Sequence, residues 1–146
     1  MDAKDRWGLV LLAVLAGALL LVGVVSGTLL RHTVQIVPPL ALIIVAVVWR
    51  PRSWPAAAMA IELFWLVIML FIWLYLAGVA RIVKGHFSSS EIALTMVIGV
   101  AAAGGIVIGL QDRRAAWQAR VIAFLIAAII QVGAMWLSLR PGIGTR

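Results

Sequence analysis

Glu62 is the residue whose setting most constrains what this chain could do. It is the one charged side chain between Pro55 and Ala80, a run long enough, at roughly 39 Å as a helix, to cross a bilayer core of about 30 Å. A carboxyl in hydrocarbon is costly, and Glu is too short to reach the headgroups as Lys or Arg does, so Glu62 is expected to face other helices or a wet cavity. Two chemistries suit it there. A neutral carboxylic acid can hydrogen-bond a neighbouring helix and fix packing, or it can take up and release a proton as the coupling site of a carrier or channel. Gln131 and Gln35 are the other intramembrane polar candidates, and amides on small-residue stripes commonly join helices.

The remaining candidates carry less chemistry. His32 and His86 fall near polar breaks, and two possible ligands do not make a metal centre. The chain has no cysteine, which excludes disulfides, thiolate nucleophiles and Cys-held metals or clusters. Metalloprotease, nucleophile-elbow and Walker motifs are missing, so no enzyme activity, metal or cofactor is expected. Trp65, Met69 and Trp73 share a face with Ala58, Glu62, Leu66 and Leu76 by i, i+3, i+4 stepping, and those three could line a slot for a hydrophobic ligand or pack a core.

Composition says which solvent these residues meet. Of 146 residues, 65% are hydrophobic and 12% charged, and the mean hydropathy is +1.17, well outside the range of a soluble domain. A net charge of +7 could suggest nucleic acid, but the 12 basic residues are scattered between apolar runs, which reads as topology signals and lipid contacts. The expected fold is therefore an all-α integral membrane protein, a single transmembrane helical domain over residues 1–146. Five spans are expected, at about 7–30, 33–49, 55–80, 91–111 and 117–139. The second is short and broken by Pro38 and Pro39, which remove amide donors and free the carbonyls of Val34 and Gln35. Four spans plus a re-entrant segment is the alternative. Ser90 and Glu91 resemble the cap and acidic first turn of the fourth helix. Trp7, Trp49, Trp54, Trp117 and Trp136 lie near span ends, where an aromatic belt is expected.

Glycines supply the packing signals. Gly23 and Gly27 form one GxxxG pair, Gly105 and Gly109 another, and Gly99 lies on the same side of the fourth span. These stripes suggest a protein that works by association, as a homo-oligomer or as an accessory subunit of a larger membrane complex, with the lipid bilayer as its other partner and no nucleic acid. The rival expectations are a proton-linked transporter or channel built on Glu62, and a binder of a lipid or hydrophobic small molecule. With five spans, one side holds Lys4, Arg6, Arg50, Arg52, Arg113, Arg114 and Arg120, seven residues, and the other holds Arg31, Arg81, Lys84, Arg140 and Arg146, five. The positive-inside rule then favours a cytoplasmic N-terminus. The excess of Arg over Lys, with abundant Ala and Gly, fits a bacterial inner membrane.

Overall fold

A computed structural model describes residues 2–80 and 85–143, and among them it has five α-helices and no strand. Arg81, Lys84 and Arg146, three of the charges used to assign sidedness, lie outside the described residues. Each helix is long and apolar enough to cross a membrane, as an integral membrane protein requires.

Helix α1 (Ala3–Val25) begins and ends earlier than its hydropathy indicates, because the charged head is itself the first turn. Asp2 caps it, accepting from the Asp5 amide at 2.8 Å, and Asp5 complements the positive end of the helix dipole. Its end is set by Ser26, whose hydroxyl donates to the Val22 carbonyl, and by Gly27 at φ +68°, a left-handed conformation that glycine adopts without strain.

Helix α2 (Leu29–Val48) corrects two expectations: it is 20 residues long rather than 17, and it runs unbroken through Pro38 and Pro39. All five helices thus have spanning length. The prolines are tolerated because a carbonyl they free is taken by another helix, described below. Arg50, at φ +49°, turns the chain after α2.

Helix α3 (Trp54–Leu76) carries Pro55 in its first turn, where the missing amide would be unpaired anyway. It stops four residues short of Ala80, in a turn at Gly78, φ +73°. Helix α4 (Ser89–Gln111) is capped by Ser88, not Ser90. The Ser88 hydroxyl accepts from the Glu91 amide while the Glu91 carboxylate accepts from the Ser88 amide at 2.7 Å, and Glu91 stands at the third helical position that this reciprocal cap requires. Helix α5 (Trp117–Ser138) completes the set.

The helices close a ring in the order α1, α2, α5, α3, α4, and α3 also touches α1 and α2, so it meets all four others. This explains why the first half of α3, with Ala56, Ala57, Ala58 and Ala60, is buried nearly all round: small side chains let four neighbours approach. Leu12, Leu15 and Leu19 of α1, Ile61 of α3 and Ile98 of α4 form the innermost apolar layer. By contrast only Ala127, Gln131 and Ser138 of α5 are buried.

Candidate functional site

The α3–α4 contact is built from knobs on α3 and glycine notches on α4. Pro55 and Met59 lie against Gly109, Glu62 against Gly105, and Trp73 against Gly99, a register in which the two helices run antiparallel. Each notch is filled. A Cβ at Gly109 would fall 2.8 Å from the Met59 Cβ and 3.0 Å from the Pro55 carbonyl oxygen, and one at Gly105 or Gly99 would overlap the Glu62 carboxyl or the Trp73 indole. The α4 glycines therefore serve closure within the chain.

Glu62 is 1% exposed and faces α4, inward as its cost in hydrocarbon demands. By helical rise it lies roughly 12 Å from the start of α3. Its Oε2 has no hydrogen-bond partner among the described residues, and no ion pair to it is formed there. The indole Nε1 of Trp65 is likewise buried without a partner among the described residues.

Trp65 and Met69 are each 3% exposed and belong to the packed core, and Trp73 fills the Gly99 notch while its Nε1 donates to the Thr95 hydroxyl at 3.0 Å. Thr95 in turn donates to the Ile92 carbonyl. The aromatic face seen in sequence is spent on α4 and the core.

A second polar cluster joins α2 to α5 in the other half of the molecule. Gln35 donates from Nε2 to the Ser138 hydroxyl at 2.8 Å, close to the Met135 sulfur, and Ser138 donates to the Met135 carbonyl at 2.6 Å. Gln131, fully buried, donates from Nε2 to the Gln35 carbonyl at 3.4 Å. That carbonyl is the one Pro39 cannot serve, so the amide of α5 replaces the donor that the proline ring removed from α2. The Gln131 Oε1 remains without a partner among the described residues. Glu62, Gln35 and Gln131 thus fall into two separate places, with Gln35 and Gln131 brought together and Glu62 apart from them.

The glycine expectations divide. Gly23 lies against His32, its would-be Cβ 2.7 Å from the His32 Cβ, whereas Gly27 lies in the α1–α2 turn with open space around it. His32 accepts or donates through Nδ1 with the Thr28 hydroxyl at 3.0 Å.

Sequence reading missed the charged staple at the end where α1, α3 and α5 begin. Arg114 donates to both carboxylate oxygens of Asp5, at 2.9 and 2.6 Å, and to Asp112 at 2.9 and 3.0 Å. This planar fork ties the first turn of α1 to the α4–α5 connection. Burial pushes the Asp112 carboxyl up, but the hydrogen bonds and charge of Arg114 outweigh that and hold it below the usual carboxylate range. Hydrogen bonds to Asp5 and Asp112 raise Arg114 further above its already high value. The signal was present in Asp2, Asp5, Asp112 and Arg114 falling on one side of a five-span chain, but only the fold pairs them. Trp54 also departs from the aromatic belt: it is 5% exposed, with its ring against Gly8 of α1, while Trp7, Trp49, Trp117 and Trp136 are exposed.

Comparison with protein-family models, with curated proteins and with solved structures finds no match to this chain.

Proposed function

We propose that the protein acts by association within a bilayer, with a second copy of itself or as a small subunit of a larger membrane complex. One observation carries the reading. Gly17 is exposed on α1, one turn after exposed Ala13, and no atom of another helix lies within 4 Å of the place its Cβ would take, whereas Gly99, Gly105 and Gly109 are filled from within. A small-xxx-small pair flanked by exposed Val10, Val14 and Leu21 is what lets a second helix backbone come close. The test is native mass in mild detergent. Gly17→Leu is expected to shift an assembly toward the 15.7 kDa protomer without lowering the melting temperature. A wild-type protein that runs as a single protomer and copurifies with no other protein would remove the reading.

The same reading puts the chain in a bacterial inner membrane with its N-terminus in the cytoplasm, supported by seven basic residues on that side, Lys4, Arg6, Arg50, Arg52, Arg113, Arg114 and Arg120, against five on the other. Because the chain has no native cysteine, single cysteines at Ala3 and Ala116 should label only from the cytoplasmic side, and one at Gly142 only from outside. The reverse pattern inverts the assignment.

A second reading, a proton-linked carrier or channel, is favoured by the buried carboxyl of Glu62, which has no ion pair among the described residues. It requires that Glu62→Gln abolish a pH-dependent flux in proteoliposomes while the protein stays folded. Flux that persists in this variant eliminates the role.

A further inference from the structure

The ring is loosely filled at one seam. Where α2, α3 and α5 meet lies an apolar crevice of about 290 Å³, with walls that include Ala41 and Val45 of α2, Ala57 and Ile61 of α3, and Ala123 and Ala127 of α5. Most of these side chains are too small to fill the seam they line. The crevice opens on the outer surface between α2 and α5, where Ala41, Ile126 and Ile130 are exposed. From Pro38 at its deep end to Arg50 beside its mouth is roughly 18 Å of helical rise, close to the depth of one leaflet of a hydrocarbon core about 30 Å thick.

At the mouth the chemistry changes. Pro51 and Trp54 form part of the crevice wall and also of an adjoining hollow of about 170 Å³ bounded by Arg50, Arg52, Arg114 and Asp5. Arg114 is committed to Asp5 and Asp112, but no carboxylate pairs with Arg50 or Arg52 among the described residues. An apolar slot of leaflet depth, ending beside two arginines free of acidic partners at the level of the headgroups, matches one kind of molecule in both halves.

We infer that the seam between α2, α3 and α5 holds one anionic glycerophospholipid, with an acyl chain in the crevice and its phosphate at Arg50 and Arg52. Guanidinium groups suit this contact because their planar fork meets phosphate oxygens in pairs. The inference is independent of self-association, which uses the outward face of α1.

Delipidated protein in detergent, titrated with dioleoyl phosphatidylglycerol or dioleoyl phosphatidylcholine and read by native mass spectrometry, tests it. One phosphatidylglycerol per protomer should be retained, with a preference over phosphatidylcholine of about thirtyfold from two arginines at a headgroup. Arg50→Gln with Arg52→Gln should bring that preference close to parity. Ala123→Phe should abolish retention of both lipids, and Ala41→Leu, a smaller change at the exposed rim, should weaken both if the larger substitution impairs folding. Soluble glycerophosphate at millimolar concentration should not compete. Equal retention of the two lipids by the wild type, a preference that survives loss of both arginines, undiminished binding by the folded crevice variants, or displacement by glycerophosphate would each overturn the inference.

Discussion

The pairing of Trp73 with Gly99 offers the most direct check on how α3 and α4 meet. In Gly99→Ala the new methyl would occupy space held by the Trp73 ring, so the indole must withdraw and give up its bond to Thr95. Overpacking costs about 1–3 kcal/mol. Loss of the hydrogen bond adds about 1 kcal/mol. Replacing a helical glycine returns about 1 kcal/mol, leaving a net destabilisation of about 1–3 kcal/mol. Gly17→Ala gains the same propensity and meets nothing, so it should be neutral or stabilising by up to about 1 kcal/mol. Trp73→Leu empties the notch and costs about 2–4 kcal/mol, and in that background the added methyl has room. The double variant should then be no less stable than Trp73→Leu alone, a coupling of about 1–3 kcal/mol, outside the few tenths expected of independent sites. Reversible unfolding in mixed micelles, followed by helical circular dichroism, measures all four species. Strict additivity, or equal effects of Gly99→Ala and Gly17→Ala, would refute the register of α3 against α4.

Three further outcomes follow from the same contacts. Gln131→Leu should cost about 1–3 kcal/mol in unfolding because it leaves the Gln35 carbonyl unpaired, and the cost should shrink in a Pro39→Ala background, where α2 supplies its own donor. Equal costs in the two backgrounds would show that the amide does not compensate the proline. Glu62→Met should leave stability unchanged or raise it, since the buried Glu62 Oε2 has no hydrogen-bond partner among the described residues, and a large loss in the same melt would reveal one. Asp112, held below its ordinary range in the folded protein, contributes stability that is present above about pH 4 and is lost as pH falls through its lowered folded value. Arg114→Gln should remove that acid-side loss from a pH series of melting temperatures, and an unchanged acid limb would contradict it.

The spans were legible because length and hydropathy decide them, and Glu91 announced the start of α4. Their ends were less so. Apolar residues continue past α1 and α3 into turns at Gly27 and Gly78, and hydropathy does not distinguish a greasy turn from a helix. The two prolines correctly signalled a freed carbonyl at Gln35, but a donor 96 residues away on α5 is a fact of tertiary packing. GxxxG spacing marks a surface where backbones approach without saying whose backbone arrives. Gly105 and Gly109 receive α3 of the same chain, while Gly17, less conspicuous in the sequence, faces outward. Trp54 looked interfacial for its position beside a loop, and only the missing side chain at Gly8 makes room for it inside.

These contacts divide the molecule into two unlike halves. On the α1, α3 and α4 side, knobs enter glycine notches, and the tight fit buries Glu62 against Gly105. On the α2 and α5 side, contact depends on a few polar groups, Gln35, Gln131 and Ser138, set toward one end, and the other end stands open as the crevice. Contact energy in hydrocarbon comes from close packing and from hydrogen bonds, because lipid tails are as apolar as the side chains they would replace. The first half uses the former and the α2–α5 contact adds the latter, and α5, with only Ala127, Gln131 and Ser138 buried, is the least buried of the five helices. Amide exchange in lipid should accordingly be faster along α5 than along α4, despite their similar lengths, and equal protection of the two would show that burial within the chain does not set their local stability.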